Sequence, residues 1–138
     1  MFPFAILIGG PTASQKTDLA FEIQRKLPSF IINADSMQVY DKLTSLTNVP
    51  SKKDLEKHSC NLFEFINYPK KCNVGYWLDN VKVILSKKKN KTPIFVGGTG
   101  MYLDSLFGNI SPMPKISERV RLKIENLHEK LGNSFFFN

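Results

Sequence analysis

The chain has 138 residues, 42% of them hydrophobic and 12% aromatic, with 19 Lys and Arg against 12 Asp and Glu. That is enough apolar side chain for one compact core, which excludes a disordered chain and sets one domain core as the ceiling. Residues 1–50 balance at four basic against four acidic side chains and residues 51–138 carry fifteen against eight, a surplus that suits a polyanionic partner or simply a solvated basic surface.

Phe4 to Ile8 is an apolar run about a quarter as long as the roughly 20 residues of a membrane span, and no basic segment precedes it. Neither a signal peptide nor a membrane helix is expected. The same run reads as a first strand buried on both faces of a parallel sheet, and it ends in Gly9-Gly10-Pro11. From Thr17 the period becomes helical, with Leu19, Ala20, Ile23 and Leu27 on one face, until Pro28 stops the helix. Phe30 to Ile32 reads as a second strand, closed by the polar Asn33-Ala34-Asp35-Ser36. Ser51 to His58 suits a short polar helix, and Leu62 to Ile66 a short third strand. Asn73 can cap a helix carrying Val74, Trp77, Leu78, Val81 and Leu85 before the run Lys87-Lys88-Lys89-Asn90-Lys91, whose charges suit a helix C-terminus. Pro93 to Val96 repeats the first strand's character, ends in Gly97-Gly98-Thr99-Gly100, and leads into a helix over Met101 to Phe107.

Strands alternating with helices predict a parallel α/β sheet of the P-loop type flanked by helices, with ligands beyond the carboxyl ends of the strands. Gly9 to Thr17, Asp35 to Gln38 and Gly97 to Gly100 all fall at such ends. Gly108 to Pro114 is a stiff connection to a last helix with Val120, Ile124, Leu127 and Leu131 on one face and Gly132 as its cap. The closing Phe135-Phe136-Phe137-Asn138 has no later element to bury it, which predicts a chain truncated before the last core strands.

Gly10-Pro11-Thr12-Ala13-Ser14-Gln15-Lys16-Thr17 matches the phosphate-loop pattern at its first Gly, its Lys and its Thr, between a strand and a helix as the motif requires. Backbone N–H groups at the helix N-terminus would face an anion, Lys16 would add a point charge, and the Thr17 hydroxyl would hold Mg²⁺. Gln15 stands where a glycine would let the backbone approach phosphate. If the left-handed conformation is required there, the cost is about 1 to 2 kcal/mol. Asp35-Ser36 can be a helix cap, or Asp35 can take a proton from a nucleophile near the loop. His58 and Cys60 resemble metal ligands only by type, and His128 is most simply solvated. Cys60 and Cys72 form no disulfide framework and are read as reduced thiols of a cytoplasmic protein.

With Asp35-Ser36-Met37-Gln38-Val39-Tyr40 and Ile94-Phe95-Val96-Gly97-Gly98-Thr99-Gly100-Met101-Tyr102-Leu103 beside the loop, nearly the whole chain resembles the tRNA dimethylallyltransferase family. Asn109 to Pro114 followed by Glu118-Arg119-Val120-Arg121 also looks like that family. The resemblance implies that Gly10 to Thr17 holds dimethylallyl diphosphate, with Lys16 and Thr17 on the diphosphate and Mg²⁺ at Thr17. It implies Asp35 as general base toward the exocyclic amine of the adenosine 3′-adjacent to the anticodon. Asp35, Ser36, Met37, Gln38, Thr99 and Arg121 would be tRNA contacts. A monomer is expected. Residues 1–108 would be the P-loop core and 109–138 the start of a helical tRNA-binding insertion. Where the family has glycine this chain has Gln15, and Leu46 to Pro50 keeps the Thr and Pro of a family segment without its Gly and Lys. Two other readings compete. A P-loop nucleotide kinase would bind ATP with the same loop but needs lid arginines, and the chain offers only Arg25, Arg119 and Arg121. An inactive truncated remnant would fold in part or hold tRNA weakly.

Overall fold

In the computed structural model, which describes residues 4–108, 111 and 116–136, four strands form one parallel sheet in the order β1-β4-β2-β3. These are β1 (Ile6–Gly9), β2 (Ser29–Asn33), β3 (Cys60–Asn61) and β4 (Thr92–Gly97). The helices are α1 (Lys16–Lys26), α2 (Thr44–Thr47), α3 (Lys52–Lys57), α4 (Val74–Lys87), α5 (Gly100–Ser105), α6 (Glu118–Leu131) and α7 (Asn133–Phe136). The expected parallel α/β architecture with flanking helices is therefore present.

The two central strands carry the core because both of their faces are covered. Every residue of β2 is buried, as are Pro93 to Gly97 of β4. Successive side chains alternate between faces. Ile31, Ile94 and Val96 pack with Ile8 and Ala20 toward α1 and α3, whereas Phe30, Ile32 and Phe95 pack with Trp77, Val81 and Tyr102 toward α4 and α5. Trp77 stacks on Tyr102 at 4.6 Å, and its indole N–H donates to the Asn33 carbonyl at 2.8 Å. Asn33, wholly buried, uses its amide to donate to the carbonyls of Leu62 (3.0 Å) and Asp35 (3.1 Å). That amide ties the end of β2 to the segment after β3.

Several local expectations hold. The Asn73 side chain caps α4 by accepting from the Tyr76 N–H at 2.9 Å, and Gly132 closes α6 with φ 70° and an N–H donated to His128. Others need correction. Leu62 to Ile66 is no strand, since Leu62 (φ 61°) and Glu64 (φ 46°) adopt left-handed conformations that break extended pairing. The third strand is instead Cys60–Asn61, paired with Ile31 and Ile32. Leu62, Phe63 and Ile66 still enter the core from the irregular segment, which donates from Glu64 and Ile66 to the Gln38 and Val39 carbonyls. On α1, Leu19 is exposed, because the buried face is centred on Ala20 and Ile23. The helices α2 and α7, of one turn each, had no sequence signal. Most of the connection expected over Gly108 to Pro114, and Phe137 and Asn138 at the end, lie outside the described residues.

Candidate functional site

Because all strands run the same way, their carboxyl ends gather on one side. Gly9 pairs with Gly97 and Asn33 with Val96, so the three loops that follow β1, β2 and β4 lie together. Their approach is close. A Cβ built on Gly97 would sit 2.2 Å from the Ala34 carbonyl carbon and 2.6 Å from the Asp35 nitrogen, and one on Gly98 would sit 3.2 Å from the Gly10 oxygen. Only glycine at 97 lets the loops meet in this way.

Above them lies a cleft of about 560 Å³, lined by Thr12 to Asp18, Phe21, Asp35, Met37, Gln38, the segment from Leu43 to Pro50 in part, Asp54, Val96 and Gly97. One wall is the loop between β1 and α1. Ala13 (φ 61°) and Gln15 (φ 55°, ψ 25°) are both left-handed, so the conformation at Gln15 is one that glycine would adopt more cheaply. Gln15 occupies the cap position of α1, and no side chain caps that helix. The Lys16 ammonium donates to the Pro11 carbonyl, and the Ser14 hydroxyl donates to the same oxygen at 2.8 Å. The loop thus curls around its own lysine, with Thr17 in the first turn.

Asp35 faces this wall from the loop after β2. It is no helix cap: its Oδ1 accepts from the Met37 N–H at 2.9 Å and its own N–H donates to Asn33 Oδ1 at 3.0 Å, a turn rather than a helix start. Thr99 Oγ1 accepts the Ser36 N–H at 2.8 Å and lies 3.2 Å from the Ser36 hydroxyl. The third wall is α2 with its flanks, held by Gln38, whose Nε2 donates to the carbonyls of Thr47 (2.8 Å) and Asn48 (3.3 Å).

The structure therefore brings Thr12, Ala13, Ser14, Gln15, Lys16, Thr17, Asp35, Met37 and Gln38 into one cleft. Gly10, Pro11, Ser36 and Thr99 support it from beneath without lining it. Arg121 lies on α6, all of whose described side chains avoid burial, and does not line the cleft. Sequence reasoning missed the wall made by Phe21, Leu43, Leu46, Thr47, Asn48, Pro50 and Asp54. The signal available was the segment Leu46 to Pro50, whose Thr and Pro resemble a family segment without marking its place in the site.

The thiols and histidines lie apart from this chemistry. Burial pushes the Cys60 thiol up to about 12, and burial likewise raises Cys72, so both are weak nucleophiles. His58 is buried, stacked on Phe21 at 4.0 Å with its Nδ1 2.8 Å from Gln24 Oε1. Burial first, then the charges of Lys57 and Arg25, hold its pKa below the usual value. Among the described residues no three His, Cys, Asp or Glu side chains form a metal cluster, and no helix is long and apolar enough to cross a membrane.

Comparison with known proteins places these features in one group. A tRNA dimethylallyltransferase of Pelagibacter ubique is 42% identical over 134 residues, covering 96% of this chain and 43% of that protein. A crystal structure of a tRNA isopentenylpyrophosphate transferase from Staphylococcus epidermidis shares 31% identity at a TM-score of 0.73, over 91% of this chain and 42% of its own. A eukaryotic dimethylallyltransferase, seen acting on tRNA, shares 25% identity at a TM-score of 0.73, over 83% of this chain and 30% of its own. The chain spans less than half the length of these relatives. Residues 38–138 match the family model for IPP transferase, and that match takes in Asp35's neighbours Gln38 to Tyr40, the Gly97 to Gly100 turn and α6 alike; the chain belongs to the IPP transferase family.

Proposed function

We propose that the cleft binds dimethylallyl diphosphate and presents it to the exocyclic amine of a tRNA adenosine, that beside the anticodon. The observation carrying this reading is the meeting, in one cleft, of the Lys16 loop with Asp35 across from it. The diphosphate would sit at the N-terminus of α1, exchanging the Pro11 carbonyl for phosphate oxygens as the partner of Lys16. As the amine nitrogen bonds to the allylic carbon, the bond from that carbon to the diphosphate oxygen breaks. Lys16 and the loop N–H groups stabilise the charge that grows on the departing diphosphate. Asp35 takes the proton the amine releases, and its fixed Oδ1 leaves Oδ2, on the side of Gly98, for that task.

Thr17 and Asp35 both line the cleft and carry hard oxygen donors of the kind Mg²⁺ takes, so they fit an ion whose shell phosphate oxygens would complete. Bound there, Mg²⁺ would neutralise diphosphate charge. Ser36, Met37, Gln38, Thr99 and Arg121 remain proposed tRNA contacts; Gln38 would contribute by holding α2 in place as well. Residues 1–108 would form the catalytic core and 109–138 the beginning of a helical tRNA-gripping part. The protein would act in the cytoplasm as a monomer.

The test separates two roles. Lys16→Ala should lose diphosphate affinity in titration calorimetry. Asp35→Asn should keep that affinity within about twofold while transfer of a labelled dimethylallyl group to tRNA disappears. Loss of diphosphate binding in Asp35→Asn, or unaltered transfer, would contradict the assignment.

A further inference from the structure

The face opposite the cleft, at the amino ends of the strands, holds two further depressions among the described residues. One, of about 360 Å³, is lined by Arg25, Lys57 and Lys91 with Gln24, Ser29 and His58 among others. Its neighbour, about 370 Å³, is lined by Ser86, Asn90 and four lysines, Lys87, Lys88, Lys89 and Lys91. They share Lys91, so the two form one basic surface, and no acidic side chain lines either.

Folding explains why these charges gather. α1, α3 and α4 all end on this side, with Lys26, Lys57 and Lys87 in their last turns, and the link from α4 to β4 adds Lys88 to Lys91. Helix-dipole stabilisation accounts for one cation per helix end, worth about 0.3 to 1 kcal/mol each. It leaves Lys89 and Lys91 unexplained. Among the described residues the ion pairs are Arg25 with Glu22 and Lys82 with Asp79, so Lys57, Lys87, Lys89 and Lys91 have no acidic partner.

We infer that this basic pole binds the sugar–phosphate backbone of RNA, as a second contact surface remote from the cleft. Spaced lysines with no fork geometry suit phosphates as point charges and carry no base readout. A lipid surface would call for large exposed apolar side chains beside the lysines, and Leu27 and Pro28 are the apolar residues among them. An acidic peptide would call for a buried anchoring pocket, and both depressions are shallow and lysine-rimmed. β4 is six residues long, about 20 Å at 3.3 Å per residue, so an RNA whose anticodon loop enters the cleft would meet the pole with a different part of its backbone. Only the choice of tRNA as that RNA rests on the proposed function.

The test compares the full chain with Lys57→Ala/Lys87→Ala/Lys89→Ala/Lys91→Ala, sparing Lys88 because it lies over the Phe30 ring at 5.2 Å. Fluorescence anisotropy of labelled tRNA is followed over a salt series, with polyglutamate and anionic phosphatidylserine vesicles as competitors. The variant should melt no more than about 2 to 7 °C lower, the loss expected from two helix-end cations, and should keep its pyrophosphate affinity while binding tRNA about tenfold or more weakly at low salt. The slope of log affinity against log salt should become shallower by about one unit for each lysine that meets a phosphate. Unchanged tRNA affinity and slope would overturn the inference. So would tRNA binding that persists while polyglutamate or vesicle binding is lost. Absence of pyrophosphate binding in both proteins would instead count against the proposed function and leave the tRNA comparison readable.

Discussion

Gln15 holds a left-handed backbone at φ 55° and ψ 25° inside the phosphate-type loop, a conformation that costs a non-glycine residue about 1 to 2 kcal/mol. Replacing Gln15 with glycine removes that cost from the fold. It also frees the unfolded chain, an opposing cost of about 0.5 to 1 kcal/mol. Midpoint against midpoint, the difference is a net gain of about 0.75 kcal/mol. With an unfolding entropy near 2.1 cal/mol/K per residue, 138 residues give about 0.3 kcal/mol/K, so the melting temperature should rise by about 2 to 3 °C. The glutamine side chain also lines the cleft, and its removal opens the backbone to close approach by phosphate. Pyrophosphate affinity should rise as well, by up to about tenfold. Thermal unfolding followed by fluorescence of Trp77, the single tryptophan and wholly buried, reads the first effect, and calorimetric titration the second. A variant that melts no higher and binds pyrophosphate no better would refute the account of strain at this position.

Gly97→Ala places a Cβ 2.2 Å from the backbone of Ala34, so it should destabilise the fold by about 2 kcal/mol or more, seen as an earlier thermal midpoint. Trp77→Phe leaves the buried Asn33 carbonyl without its indole donor and should cost about 1 to 3 kcal/mol in chemical denaturation followed by circular dichroism. His58 has a folded pKa below its unfolded value of about 6.5, so the unfolded state binds the extra proton. Its stabilising contribution is complete above that pH and is lost as pH falls below it; a His58→Gln variant should show a flatter stability profile between about pH 7 and 5.

The central strands and α4 were legible because their burial is written in composition; β1, expected to be buried on both faces, is instead an edge strand with Leu7 exposed, and the apolar face of α6 is not buried. A strand covered on both faces reads as Phe30-Ile31-Ile32 or Ile94-Phe95-Val96, and a packed helix repeats its apolar residues as α4 does. The place of the loop between β1 and α1 was legible because Gly9-Gly10-Pro11 ends the apolar run and the helical period opens near Thr17. β3 was not, since two residues of pairing at Cys60–Asn61 carry no periodicity, and the apolar Leu62 to Ile66 beside it is turned inward by left-handed residues that its side chains do not announce. The wall made by α2 was hidden for a similar reason. Its position depends on hydrogen bonds from Gln38 to carbonyls nine and ten residues away, and backbone acceptors leave no mark in a sequence. That Asp35 caps no helix was also invisible in the sequence, since its Oδ1 accepts from the Met37 N–H in a turn where a helix start was possible.

The central claim is that the Lys16 loop is built for an allylic diphosphate rather than a nucleoside triphosphate. Titration calorimetry of the chain with dimethylallyl diphosphate and with ATP, each in the presence of Mg²⁺, tests it most directly. Dimethylallyl diphosphate should bind the tighter of the two and should lose that affinity in Lys16→Ala. Tighter binding of ATP, or diphosphate binding that survives the loss of Lys16, would contradict it.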